Sequence, residues 1–214
     1  MPIRSIAIIP DGTRRWSQSH QLDLEAGYTM AFKGLFRTTV ALLERGLKSI
    51  HIYMFSEFNL KRETSEILSC LKVEHVFVNE LVANGIPLRV HGNYSSLCHY
   101  NPQFVAVLRE VSRKPPEVQT PAVHLYVCYS FAKHIEELCS IYPIESVLDY
   151  LIREKIDMIV RTGCARTLSD FLPTELRYSQ LVFLDELFND VGVNEYLRLC
   201  DDYDRYELNL KYGS

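Results

Sequence analysis

Residues 6–16 read IAIIPDGTRRW, and this stretch decides the fold. Ile6, Ala7, Ile8 and Ile9 form an apolar run without polar alternation, the pattern of a strand covered on both faces in a parallel sheet. The run stops at Pro10-Asp11-Gly12. Open α/β sheets place their ligands at the carboxyl ends of strands, so Asp11 falls at a functional edge. Gly12 permits a sharp turn there, and Arg14, Arg15 and the single tryptophan, Trp16, follow. A carboxylate beside guanidiniums suits a metal-bound diphosphate, the acid holding the cation and the arginines holding phosphate oxygens. A surface turn with a local ion pair is the plainer reading of the same residues.

Working outward, strand-like and helix-like segments alternate. LKSIHIYMFS (47–56), IPLRVHG (86–92), AVHLYVCYS (122–130), IDMIVRTG (156–163) and YSQLVFLD (178–185) read as five further strands. Between the first two strands an opening loop leads to a helix. Tyr28, Ala31, Leu35 and Leu42 share one of its faces, and it ends near Arg45-Gly46. Further helices are expected over about 64–84, within 99–118 before Pro115-Pro116, over 131–142, over 145–154 after Pro143, and in the charged tail. Such alternation predicts one α/β domain over residues 1–214, with a largely parallel central sheet of about six strands flanked by helices.

The bulk numbers narrow the function classes. A chain of 214 residues suits one sizeable domain, and 47% hydrophobic with 23% charged residues is ordinary globular composition. A net charge of −4 provides no basic field for nonspecific nucleic-acid binding. Six cysteines without a C-x-x-C pair argue against a zinc site or a disulfide framework and suit a reducing compartment. The first strand begins almost at once, leaving no room for a signal peptide, and the apolar runs are too short to span a bilayer. A cytoplasmic protein is expected. His51, His91 and His124 lie in strands and read as hydrogen-bonded structural residues; His134 reads as part of a solvated helix face. The tail DDYDR (201–205) reads as an exposed acidic helix, and Phe32, Phe36, Phe55 and Phe58 fall near the supposed cleft.

Three polar clusters follow strands: Asp11 to Trp16, Ser56 to Arg62, and Arg161 to Ser169. A parallel sheet brings such ends to one edge. Arg15, Arg62, Arg161 and Arg166 around one carboxylate then describe a pocket for a polyanion.

IAIIPDGTRRW, YMFSEFNLKR (53–62) and IDMIVRTGCARTLSDF (156–171), with RVHG (89–92) and KYG (211–213), resemble in order the signatures of the cis-prenyltransferases, the undecaprenyl diphosphate synthase family. The resemblance implies an elongated hydrophobic tunnel, a homodimer, Mg²⁺ and prenyl diphosphate substrates. Asp11 matches the aspartate that holds Mg²⁺ on the allylic diphosphate and helps it leave. Gly12, Arg15 and Trp16 also match, Arg15 gripping the diphosphate and Trp16 lining the pocket. Ser56 and Asn59 match residues that assist proton handling, Arg62 matches a phosphate contact, and Arg161 and Ser169 match the second substrate site.

Departures from the family pattern are Thr13 and Arg14 for an asparagine and a glycine, Leu24 for an arginine, Tyr28 for a histidine, and Leu60 for a tryptophan. Thr167 replaces a second arginine, with Arg166 one place away, and Gln180 replaces a glutamate that helps ligate the metal. CYSFAK (128–133) stands where the family has an NYGGR-like stretch. Arg14, Tyr28 and Arg166 join the expected substrate contacts. The Asp-Gly-x-Arg-Arg-Trp pattern resembles the branch of lavandulyl-type synthases, which join dimethylallyl-type units irregularly and sometimes cyclise the product. The expected activity is therefore a Mg²⁺-dependent synthase with a short product. A cyclase of one longer prenyl diphosphate and a noncatalytic partner subunit are the alternatives, and Asp11→Ala is expected to abolish turnover with the fold intact.

Overall fold

A computed structural model describes residues 2–117, 119–147, 156–171 and 179–210, with side chains to 205. In chain order the elements are β1 (Ser5–Ile9), α1 (Thr13–Ser19), α2 (Leu24–Glu44), β2 (Ser49–Ser56), α3 (Thr64–Ala83), β3 (Leu88–His91) and α4 (Pro102–Arg113). Then come β4 (Ala122–Tyr129), α5 (Phe131–Ile141), β5 (Met158–Arg161), β6 (Gln180–Phe183) and α6 (Val193–Leu210). Residues 148–154 of the expected second helical piece, and KYG at 211–213, lie outside the described residues.

The six strands form one sheet in the order β3-β4-β2-β1-β5-β6, and every neighbouring pair is parallel. This is the predicted α/β architecture. The chain builds outward from β1 to one side, then returns to lay β5 and β6 on the other. The order therefore reverses between β1 and β5, and at such a switch point a crevice opens at the carboxyl edge.

β1 is buried along all five residues, which explains its unbroken apolar run. Its side chains alternate between two cores. Ile6 and Ile8 join α2, α3 and the tail helix, while Ala7 and Ile9 pack with Tyr53, Tyr126, Tyr129, Ile159 and Phe171 on the opposite face. Buried side chains of α2, α3 and the sheet join in one apolar core. Phe32 of α2 meets Phe77 of α3 edge to face, with ring centroids 5.2 Å apart.

Two local expectations change. The stretch after β1 is not a loop: Gly12, at φ 115°, is the N-cap of α1, so Arg14, Arg15 and Trp16 are helical. The tail is no free acidic face. Asp204 accepts a hydrogen bond from the Ile3 N–H at 2.6 Å, and Arg45 pairs with Asp201 and Asp204 at 2.8 and 2.9 Å. Tyr196 and Tyr203 of α6 are buried. The helix straps down the start of β1.

The strand histidines are structural, as expected. His51 and His124 are register partners on β2 and β4. The His91 Nε2 lies 3.1 Å from His124 Nδ1, and His51 Nδ1 lies 3.0 Å from the Tyr126 hydroxyl. Burial pushes His51 and His91 down to about 3 and His124 down to about 2. Unfolded histidines titrate near 6.5, so below that pH the unfolded chain binds protons that the native chain refuses. Stability from this ladder is present above pH 6.5 and lost as pH falls towards 3, with a slope of at most about 4 kcal/mol per pH unit for three residues. Urea unfolding between pH 7.5 and 4.5 should reveal this loss, and His124→Phe should make the slope shallower by about one third.

Candidate active site

The site is built on the β1–β5 pairing. Ile9 is the register partner of Arg161, so the turn after β1 lies against the Arg161-Thr162-Gly163 turn after β5. The fully buried Thr162 clamps Asp11 from both sides: its Oγ1 accepts from the Asp11 N–H at 2.9 Å and donates to the Asp11 carbonyl at 2.8 Å. Gly163 sits at φ 82°, and a Cβ there would lie 2.7 Å from the Asp11 carbonyl oxygen and 2.7 Å from Arg15 Nη2. Glycine is required on both counts.

The Asp11 carboxylate remains 34% exposed while both its oxygens are engaged. Arg161 Nη2 donates to Oδ2 at 2.9 Å, and Arg15 Nη2 donates to Oδ1 at 3.3 Å and to the Gly163 carbonyl at 2.8 Å. Arg161 is nearly buried. Its Nη1 donates to the Thr167 carbonyl and to Ser169 Oγ, each at 2.7 Å, while its Nε is buried without a partner. Thr167, where the family carries an arginine, is thus the residue that Arg161 grips. Cys164, Ser169 and Asp170 adopt positive φ of 65°, 51° and 66°, a cost of about 1–2 kcal/mol each for non-glycine residues. The turn is held by the Tyr53 hydroxyl donating to the Ser169 carbonyl at 3.0 Å, and by Asp170 Oδ2 accepting from Ser130 Oγ and Phe131 N–H at 3.1 and 2.9 Å.

A second wall rises from α1, α2 and α3. Glu66 pairs with Arg62 at 3.0 Å and with Arg14 at 3.4 Å, and Arg62 Nη1 donates to the Tyr28 hydroxyl at 3.4 Å. Glu66 joins the first two clusters and was missed in the sequence; its only signal was its place one helical turn after Arg62.

Four expected residues stand apart. Ser56 and Asn59 form a reciprocal capping box for the short 3₁₀ turn Glu57–Lys61, in which Asn59 Oδ1 accepts the Ser56 N–H at 2.8 Å. Trp16 donates Nε1–H to Asp190 at 2.7 Å and lines a cavity of about 360 Å³ with Met30, Gly34, Arg37 and Val191, but not with Asp11, Arg15 or Arg161. Arg166 pairs with the exposed Asp185 at 2.5 Å instead of replacing the missing arginine. Gln180, which stands where the family has a metal-ligating glutamate, pairs in register with Met158. That is three residues before Arg161, so within one chain it lies about 10 Å down the sheet from the edge.

Among the described residues, no three His, Cys, Asp or Glu side chains gather to cage a metal. The single accessible carboxylate of Asp11 fits a different mode. Mg²⁺ keeps several waters and needs only one or two carboxylates when substrate phosphates complete its shell.

The Asp11–Arg161 pair adds a stability cost to the expectation for Asp11→Ala, which would leave a nearly buried guanidinium short of its anion. We expect a stability loss of about 2 kcal/mol, with Asp11→Asn losing about half of that, measured by urea denaturation of each variant.

The family model described as "Putative undecaprenyl diphosphate synthase" matches residues 9–211. An isoprenyl transferase of Treponema denticola is 30% identical, over 99% of this chain and 98% of its own length. A (2Z,6Z)-farnesyl diphosphate synthase of Solanum lycopersicum is 25% identical, over 88% of this chain and 72% of its own. Among solved structures, the lavandulyl diphosphate synthase of Lavandula x intermedia, in complex with dimethylallyl diphosphate, superposes with a TM-score of 0.77 at 20% identity, covering 94% of each chain. With Asp11 and its arginines at the carboxyl edge of such a sheet, the match over almost the whole length establishes that this chain is a prenyltransferase of the undecaprenyl diphosphate synthase (cis-prenyltransferase) family.

Proposed function

We propose that the chain is a Mg²⁺-dependent synthase that joins small prenyl diphosphates into a short, irregular product of lavandulyl type. The observation that carries this reading is the aromatic packing below the arginines. Tyr28, bonded to Arg62, lies one helical turn before Phe32, and Phe32 packs edge to face on Phe77, the two rings being 7% and 1% exposed. We read this packing as a floor that stops a long polyprenyl chain. The tomato relative named for a farnesyl diphosphate product and the lavender fold solved with dimethylallyl diphosphate support the short reading.

The allylic diphosphate would lie on the α1 N-terminus at Gly12, held by Arg14 and Arg15 with Arg62 opposite. Trp16 fixes α1 through Asp190, and Tyr28 covers the hydrocarbon. Asp11 would share Mg²⁺ with that diphosphate, and the bound ion would supply positive charge for the departing group. Arg14, Arg15 and Arg62 add fixed charge where negative charge develops, the interaction that most lowers such barriers. Arg161 and Ser169 are assigned to the second diphosphate, and Arg166 could join them only by leaving Asp185. The buried, unpartnered Nε of Arg161 supports an anion contact there. Ser56 and Asn59 hold the turn that carries Arg62. Carbon–oxygen cleavage sends the electron pair out with the diphosphate, an alkene of the second substrate attacks, and a proton leaves from carbon. Ring closure before proton loss belongs to the same reading, as do a homodimer and a cytoplasmic setting. The accessible carboxylate of Asp11 speaks against a noncatalytic subunit.

Incubation with dimethylallyl, isopentenyl, geranyl and farnesyl diphosphates, singly and in pairs with Mg²⁺, tests the reading. A ten- or fifteen-carbon product is expected, and a ladder of long polyprenyl diphosphates would overturn it. Asp11→Asn should lower kcat by roughly 10²–10³-fold. Phe77→Ala, by opening the floor, should lengthen the product by one or more isoprene units in mass spectra.

A further inference from the structure

The inner face of α3 carries one residue that neither packing nor the diphosphate site uses. Ile67, Cys70, Leu71, Glu74, Phe77, Val78 and Leu81 are its buried stripe, and Glu74 is the single carboxyl among them. It is 0% exposed. Its Oε1 accepts a hydrogen bond from the Cys70 thiol at 3.4 Å, and its Oε2 is buried without a partner. A buried acid with an unsatisfied oxygen is costly, and core positions do not keep one without a use.

Its position supplies the use. Cys70 lies one helical turn beyond Glu66, which pairs with Arg62. Glu74 reaches back to Cys70, as helical side chains lean towards the N-terminus. Glu74 thus follows Glu66 by two helical turns, about 12 Å along the axis. On the same face it precedes Phe77, and the Arg62 charge lies near enough to act on it, so it sits beneath an arginine of the diphosphate site proposed above.

We propose that Glu74 is a further catalytic residue, the base that accepts the proton ending the carbocation sequence. This assignment rests on the prenyl-coupling reading above. After the allylic C–O bond breaks and the new C–C bond forms, the cation would lie beneath Arg62, against this face of α3. An Oε2 lone pair takes a proton from a neighbouring carbon, and the C–H electron pair closes the alkene. Glu74 becomes the neutral acid and returns its proton to water on product release. Burial pushes its carboxyl up to about 8. Near pH 7 most of the group is then the neutral acid, and the step starts from the ionised fraction, which the neighbouring cation favours and which is a stronger base than an exposed carboxylate. Ser56 and Asn59, bound to each other's backbone in the capping box, are poorly placed for that role.

The experiment compares Glu74→Gln and Glu74→Leu with the wild-type chain on dimethylallyl diphosphate labelled with ¹⁸O at the bridging position. Ionisation and return scramble that label without any proton transfer, while product formation needs the base. In both variants we expect scrambling at the wild-type rate, product formation lowered by roughly 10²-fold or more, and a rise in water-captured alcohols and isomeric alkenes. The thermal midpoint should hold or rise, most for leucine, because an unsatisfied acid has been removed. Wild-type product rates and alkene pattern in both variants would overturn the assignment, as would loss of scrambling in parallel with product, or a variant that fails to fold. A wild-type chain that makes no product from any prenyl diphosphate pair would instead overturn the coupling reading, and the role of Glu74 with it.

Discussion

The pairing of Asp11 with the turn after β5 is the interaction on which the site depends. Thr162 holds the Asp11 backbone by two hydrogen bonds, Gly163 lets the two turns touch, and Arg161 and Arg15 hold the carboxylate. These residues lie about 150 positions apart in the chain. Only the parallel β1–β5 ladder, at the point where the strand order reverses, brings them together. The strained backbone at Cys164, Ser169 and Asp170 is tolerated because Arg161, Tyr53 and the start of α5 each hold part of the loop.

Electrostatically the edge is a chain of shared partners. Asp11 is divided between Arg15 and Arg161, and Glu66 between Arg14 and Arg62. Each acid holds two guanidiniums in place, so the arginines are positioned before an anion arrives. Preorganised charge of this kind stabilises a leaving diphosphate without reorganisation during the reaction. The same economy explains Thr167: with Arg161 already bonded to its carbonyl, the third motif keeps its loop although a cation is missing.

The apolar side of the molecule sets what such an edge can act upon. Aromatic packing between α2 and α3 fills the core one turn below Tyr28, where Phe32 meets Phe77. Glu74 is the one carboxyl in the buried stripe of α3 beside it.

The sequence by itself determined the alternation of strands and helices, because each strand's apolar run and each helix's periodicity are local properties. It also located the three clusters, since motif order survives in the chain even where single residues have changed. Less was legible in the partners. Glu66 and Thr162 are ordinary residues in the sequence and become structural only when another segment arrives. Ser56 and Asn59 read as chemistry but satisfy their own turn, because a Ser-x-x-Asn spacing also closes a capping box. Arg166 looked like a near-substitute for a family arginine and Gln180 like a lost metal ligand, yet the fold pairs the one with Asp185 and places the other down the sheet from the edge. Glu74 drew no notice in the sequence, because its burial and unsatisfied oxygen belong to the packing of α3 against its neighbours. Secondary structure follows from forces between residues close in sequence. Which carboxylate meets which arginine, and how deep the cleft runs, are set by contacts between residues far apart, and these only the tertiary structure decided.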